Sequence, residues 1–349
     1  MPKAYRAEFF DNALNFVAWA QVDNAPIAFD YLTLEETTVS TNKPLYEVST
    51  LNLCRIVSND GTKYSGVVSS TTASKTGASI SIKPLLSLFD VTCFFDRTKL
   101  QTMSLENFIG EIMESLYAGD DVLQNISGFT AVPQSETLNA KLNLKDNVQS
   151  LFDILTSALK KYGIVVTVDF DPEQKTVTAN IGKVESNNWV IEADLSGCTN
   201  VTVDFSDGLS GINKLTLINK NDESQKAVYY LHPNGTVDTN NENRITPVQF
   251  SYELLESDDF ETEAAEQAEN TLKPEEYNNL IELSVLNSNK IVRWSNHEIG
   301  EPVTVIYKGA QYKSVFTGWN ESGQAVTLTF GAVRLELTKK LILERRKSN

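Results

Sequence analysis

Along the first hundred residues, short runs of alternating apolar and polar side chains are separated by turn signals such as Asn-Asp-Gly at positions 59–61. The runs at 45–53 and 64–69 flank that turn, which is the pattern of a β-hairpin. Residues 78–83 alternate small or apolar with polar side chains and predict one more strand. Strands this short, at this spacing, predict a β-barrel or a β-sandwich.

The period of the apolar residues changes near residue 100 from two to three or four. Ser104 stands in front of such a run and predicts the N-cap of a helix that Gly119 ends. A second helix is predicted over about 146–162, with Gly163 as its stop. Two strands around a turn at 171–174 follow it. These elements together predict a small α+β unit.

Strand patterns return after residue 187, and a third helix is predicted over about 258–272, ended by Pro274. Ten acidic residues and one basic residue lie between positions 253 and 276, so this helix is strongly acidic. The fold class predicted for the chain is therefore α+β, mainly β, with two barrel-like parts. The predicted domains are a first β-barrel-like domain at 1–100 that strands within 187–250 complete, an inserted α+β domain at 101–186, the acidic helix and its connection at 251–276, a second β-barrel-like domain at 277–338, and a basic tail at 339–349.

Charge excludes several classes of function. The net charge is −16, and residues 101–300 carry 13 basic and 32 acidic side chains, a net of −19. Proteins that follow a phosphate backbone or dock on anionic lipid need clustered Lys and Arg, so tight nucleic-acid binding and membrane docking are not expected. We expect no secretory signal, because no apolar run follows the early basic residues. Three scattered cysteines predict reduced packing residues.

The search for catalytic chemistry finds few candidates. His232 and His297 are the only two histidines, and neither lies in the paired spacing of a zinc protease. No Cys-x-x-Cys pair, nucleophile elbow or phosphate-binding glycine loop is present in the sequence. We therefore predict no catalytic residue, no cofactor-binding residue and no metal ligand, and we leave the question of enzymatic activity open.

A set of short motifs and the order of the predicted units indicate a family. The motifs lie at 82–90, 229–236, 277–282, 298–303 and 312–318. In these motifs and in unit order the chain resembles the hub, or tail-tip, proteins of tailed bacteriophages. Its nearest resemblance is to the front part of the tail-associated lysin, or prophage tail endopeptidase, family of Listeria-type siphophages.

This resemblance implies a homotrimeric ring of barrels that continues the tail tube. It implies contacts with the distal tail protein and with the tape measure protein, and a virion component made in the bacterial cytoplasm. DNA would pass through such a ring without binding tightly. In long family members a lytic domain follows this region, and its place lies beyond Asn349, so no endopeptidase activity is expected of residues 1–349.

Two alternatives stay open from the sequence. One is a tail-associated peptidoglycan endopeptidase, which the family label suggests. The other is a carbohydrate- or receptor-binding tail module, in which Trp189, Trp294 and Trp319 stack on sugars. The C-terminal segment combines apolar and basic residues and is predicted to dock on a partner. Its candidate docking residues are Leu335, Leu337, Lys339, Lys340, Leu341, Ile342, Leu343, Arg345 and Arg346.

Overall fold

The computed structural model describes residues 5–24, 27–58, 61–142, 144, 147–205, 212–272 and 279–331. Over these residues the protein is mainly β, as the alternating pattern predicts, and three α-helices interrupt the strands. No helix among the described residues has the length and apolar character needed to cross a lipid bilayer.

The first unit is a closed antiparallel barrel, and its strands alternate buried and exposed positions as a barrel wall requires. Its strand order is β1-β2-β4-β7-β6-β5, and β5 pairs back onto β1. The bounds are β1 Tyr5–Phe10, β2 Phe16–Asn24, β3 Ala28–Asp30, β4 Thr37–Thr41, β5 Leu53–Ser58, β6 Gly61–Ala73, β7 Ala78–Pro84 and, after the barrel, β8 Thr92–Phe94.

Two features of this barrel bear on function. Its own six strands close it, so the expectation that strands from 187–250 complete it is wrong. The pairing of Arg6 through Phe10 with Leu53 through Val57 leaves no gap in the wall for another strand. The interior is filled by apolar side chains such as Phe9, Ile56 and Ile80. The barrel is therefore a packed core and not a pore.

The inserted unit consists of two helices and a three-stranded sheet, in the order β11-β12-β9. Ser104 caps the first helix as predicted, since its hydroxyl oxygen accepts a hydrogen bond from the Asn107 N–H. The bounds are α1 Leu105–Tyr117, β9 Phe129–Pro133, β10 Val148–Ser150, α2 Leu151–Tyr162, β11 Ile164–Asp171 and β12 Thr176–Lys183.

The start of α2 differs from the predicted one. The helix begins at Leu151, because the Ser150 side chain caps it and residues 148–150 pair with β8 instead of being helical. Gly163 ends it as predicted, in the left-handed conformation at φ +66°. The first helix ends one residue earlier than expected, with Ala118 as its C-cap.

The rest of the described chain forms a seven-stranded sheet and a four-stranded sheet. The four-stranded sheet runs β17-β16-β15-β18, and the small side chains of Ala264 and Ala268 pack helix α3 against one face of it. The bounds are β13 Trp189–Glu192, β14 Thr199–Phe205, β15 Lys214–Asn219, β16 Lys226–Leu231, β17 Val237–Asp238, β18 Phe250–Leu255, α3 Phe260–Leu272, β19 Asn279–Leu286, β20 Pro302–Tyr307, β21 Ala310–Ser322 and β22 Ala325–Gly331.

The seven-stranded sheet is rolled around its own core. It runs β13-β20-β21-β22-β19-β14, and β3 adds to β21. Trp189 on the first strand touches Phe330 on β22, three strands away, with ring centroids 5.5 Å apart. The strands after residue 187 that were expected in the first barrel therefore belong to this sheet and to the four-stranded sheet. The domain bounds themselves stay a prediction.

Candidate functional site

His232 closes the hairpin between β16 and β17. Its Nε2 lies 2.9 Å from Asp238 Oδ1, and its backbone N–H donates to the carbonyl oxygen of Thr236. The Asn240 N–H and the His232 ring both hold the pKa of the Asp238 carboxyl below its ordinary range. Since these contacts fix a turn, they give His232 a structural role.

His297 lies in a second polar cluster, at the edge of the seven-stranded sheet. Its ring stacks on Trp189, with centroids 3.7 Å apart and planes 4° from parallel. Its Nδ1 lies 3.0 Å from Oε2 of Glu301, a carboxylate that is only 1% exposed. A His–Glu pair is able to exchange protons. In this structure the pair, together with the stacking on Trp189, fastens the loop before β20 to β13.

Metal and thiol chemistry have little support in the described part of the chain. Among those residues, no three His, Cys, Asp or Glu side chains come together to hold a metal ion. Burial raises the pKa of each thiol, at Cys54, Cys93 and Cys198. A raised pKa disfavours the reactive thiolate, so these cysteines serve packing.

A cleft of about 930 Å³ lies where the barrel, the inserted unit and the seven-stranded sheet meet. The barrel contributes Tyr64, the inserted unit contributes Val166 and Asn180, and the sheet contributes Glu301 and Trp319. Its lining mixes polar and apolar side chains, and the cleft marks the place where the three units meet.

The tryptophans proposed to stack on sugars pack on the protein itself. Trp189 is buried against His297, and the Trp294 and Trp319 rings lie 5.3 Å apart. A half-exposed ring that the sequence did not single out is Trp19, on the barrel wall, with the Lys43 ammonium 4.8 Å from its centroid. Trp189 is thus a core residue, and sugar binding by the half-buried Trp294 and Trp319 stays a prediction.

Exposed apolar side chains are the clearest functional feature of the surface. Phe94 and Val148 stand opposite each other on the β8–β10 ribbon, and both are more than half exposed. Phe250, Tyr252 and Leu254 lie on one side of β18 and are also more than half exposed. The alternation that reveals β18 is readable in the sequence, but which of its faces is covered depends on the packing of α3. The predicted docking residues between Leu335 and Arg346 lie outside the described residues.

No protein-family model matches the chain, and no curated protein sequence matches it. Several solved structures are similar to it. A phage P2 baseplate structure in the activated conformation aligns with a TM-score of 0.55 at 12% identity, over 95% of this chain and 100% of the other.

Two prophage tail proteins give similar alignments. The 43 kDa tail protein of prophage MuSo2 from Shewanella oneidensis aligns with a TM-score of 0.53 at 14% identity, over 95% of this chain and 97% of its own. Prophage tail protein gp18 from Listeria monocytogenes aligns with a TM-score of 0.52 at 12% identity, over 99% and 100%. At these identities the likeness concerns the fold. It confirms, at that level, the resemblance to phage and prophage tail proteins.

Proposed function

We propose that this protein is a structural hub of a siphophage or prophage tail. In this role it assembles as a homotrimeric ring that continues the tail tube and contacts the distal tail protein and the tape measure protein. The observation that carries the proposal is the shared architecture, since the alignments span at least 94% of this chain and nearly the whole of each tail protein. An assembly protein of this kind belongs to the virion.

The packed interior of the first barrel supports one detail of this proposal. Phe9, Ile56 and the other core residues fill the barrel, so DNA cannot pass along its axis. A tube built from this chain must therefore enclose its channel between subunits. The packed barrel thus supports a ring of several copies over a single barrel as the tube.

The acidic balance suits such a channel. At physiological salt the electrostatic screening length is about 8 Å, so charges on the channel wall within that distance still act on a passing phosphate. Negative walls repel phosphate, so the chain is expected to show no measurable binding to duplex DNA even at low salt, where phosphate contacts are strongest. Nanomolar DNA binding would contradict this part of the proposal.

Localisation in the particle tests the function. A tagged chain is expressed together with the tail genes that surround its coding sequence, and gold label is followed on purified tails by electron microscopy. We expect label at the tail tip, and tails without a tip when the gene is deleted. Free protein with normal tails would contradict the hub role, and muropeptide release from Gram-positive cell walls by the purified chain would favour the endopeptidase alternative.

A further inference from the structure

One face of the four-stranded sheet is open to solvent. Helix α3 covers the other face, where Leu215 and Leu217 are buried. On the open side Phe250, Tyr252 and Leu254 are 65%, 63% and 66% exposed. Strand register brings further side chains to the same side. The open sheet face consists of Lys214, Ile218, Lys226, Val228, Tyr230, Asp238, Phe250, Tyr252 and Leu254, and Thr216 is buried between them.

The open sheet face carries more cations than carboxylates, although the protein as a whole is acidic; its Asp238 carboxylate already contacts the His232 ring at 2.9 Å. Lys214 stands directly opposite Phe250, and Lys226 stands opposite Ile218. The Arg244 guanidinium adds a third cation, 5.4 Å from the centre of the Tyr230 ring. Exposed apolar surface ringed by polar groups marks an interaction site. The exposed apolar side chains favour an apolar partner surface, and the cations favour an acidic one.

This chain carries a surface of that kind in the loop after α1. Val122 and Leu123 are 81% and 94% exposed, and Asp120 and Asp121 precede them, so we name these four residues the acidic tip. The tip has a defined turn, because the Leu123 N–H donates to Asp121 Oδ1 at 3.1 Å.

Hydrogen bonds on the C-terminal side of the acidic tip fasten it to α1. The Gln124 side-chain amide donates to the Leu116 carbonyl oxygen, and the Asn125 amide donates to that of Gly119, both at 2.8 Å. Two large apolar side chains are therefore held in water on a fixed turn, which favours a contact in the assembly.

We infer that the open sheet face of one chain binds the acidic tip of a second copy of this chain. Val122 and Leu123 would cover Tyr252 and Leu254, and the two aspartates would meet Lys214, Lys226 and Arg244. Such a contact is head-to-tail, since each copy uses one surface and leaves the other free. Repeated contacts of this type close into a ring when the rotation allows it. The inference rests on the proposed ring and names the surfaces that form it.

Cysteine cross-linking between two differently tagged chains tests the contact. One chain carries Leu123→Cys and the other Leu254→Cys, so that a chain cannot cross-link its own two surfaces. Both positions are more than 60% exposed, and neither substitution disturbs a core. We expect a heterodimer on a non-reducing gel when the two chains are mixed with the distal tail protein and oxidised. The matched control pairs Leu195→Cys, 77% exposed on another part of the chain, with Leu254→Cys and is expected to give no product.

A charge exchange provides the second readout. Lys226→Glu is expected to reduce the cross-link yield severalfold, and Asp120→Lys in the opposite chain is expected to restore it. If the wild-type chain forms a trimer but neither the cross-link nor the charge effect is seen, this contact is wrong and the hub proposal stands. If the wild-type chain stays monomeric with the distal tail protein present, the hub proposal itself fails and this contact fails with it.

Discussion

Gly300 approaches Val165 so closely that a Cβ atom added to the glycine would lie 2.6 Å from the Val165 Cγ1. Gly300 belongs to the loop before β20, and Val165 belongs to β11 of the inserted unit. Its φ of +92° is also one that side-chain-bearing residues rarely adopt. Because Gly300 has no side chain, the loop before β20 is able to pack closely against β11 of the inserted unit.

The substitution Gly300→Ala measures this contact. Gly309→Ala is the matched control, because Gly309 has φ +77° and no atom within 4 Å of an added Cβ. The control is expected to lose about 1–2 kcal/mol of unfolding free energy from backbone strain. Gly300→Ala is expected to lose about 1–3 kcal/mol more from overpacking. Urea unfolding compares the two, and equal losses would mean that the sheet and the inserted unit do not pack this tightly.

Arg55 pairs with Glu8 inside the barrel and with Glu173 of the inserted unit, so it joins the two units. Its Nη2 lies 2.7 Å from Glu8 Oε2 and 2.7 Å from Glu173 Oε1, with Glu8 nearly buried and Glu173 63% exposed. Arg55→Ala removes the hydrogen bonds from Arg55 to the buried Glu8, which keeps Arg6 as an ion-pair partner, and is expected to cost about 1.5–3 kcal/mol. Glu173→Ala is expected to cost less than about 1 kcal/mol. Chemical denaturation of both variants checks this order, and a reversed order would refute it.

Glu106 is fully buried on the first turn of α1 and accepts hydrogen bonds from Ser135 and Thr137. Burial alone would raise the pKa of this carboxyl, but the hydrogen bonds outweigh it and hold the pKa below its ordinary value. The folded-state pKa is thus lower than the unfolded value of about 4.3. The stabilisation is then present above the unfolded pKa and is lost as the pH falls through the folded one.

The variant Glu106→Gln is therefore expected to lose about 1–3 kcal/mol at pH 7 and to lose less further stability than the wild type on acidification. Unfolding curves recorded from pH 7 to about pH 3 measure both effects. Glu111→Gln, at a half-exposed position on the same helix, is the control and should follow the wild type. An acid response unchanged in Glu106→Gln would contradict the assignment.

Deletion of residues 339–349 tests the predicted docking segment. Because this basic end is expected to contact a tail partner, the truncated chain should keep the free energy of unfolding of the full chain but enter tails less well. Thermal unfolding and quantification of the chain in purified tails measure the two effects. Unfolding of the truncated chain would instead mean that the segment belongs to a core.

Much of this architecture follows from local chemistry. Ser104, Gly163 and the four-residue spacing of Ala264 and Ala268 define helix ends and a helix face, and each signal lies within one or two turns of sequence. The same holds for the change from period two to period three or four near residue 100. These predictions succeed because the deciding contacts are close in sequence.

Strand partners and surfaces are harder to predict, since they depend on contacts far apart in sequence. The barrel closes because β5 pairs with β1, but the sequence contains no short motif that predicts this pairing over a pairing with later strands. The stacking of Trp189 on His297 joins positions more than 100 residues apart. For the same reason the open sheet face emerges only when α3 has covered the opposite side.

The molar mass of the full chain in solution tests the central claim most directly. Sedimentation or light scattering is recorded for the chain alone and for the chain mixed with its distal tail protein. The hub proposal predicts that, at least in the mixture, the chain assembles as three copies of the 38.8 kDa protein in a closed ring. A chain that keeps the mass of one copy in both samples would contradict it.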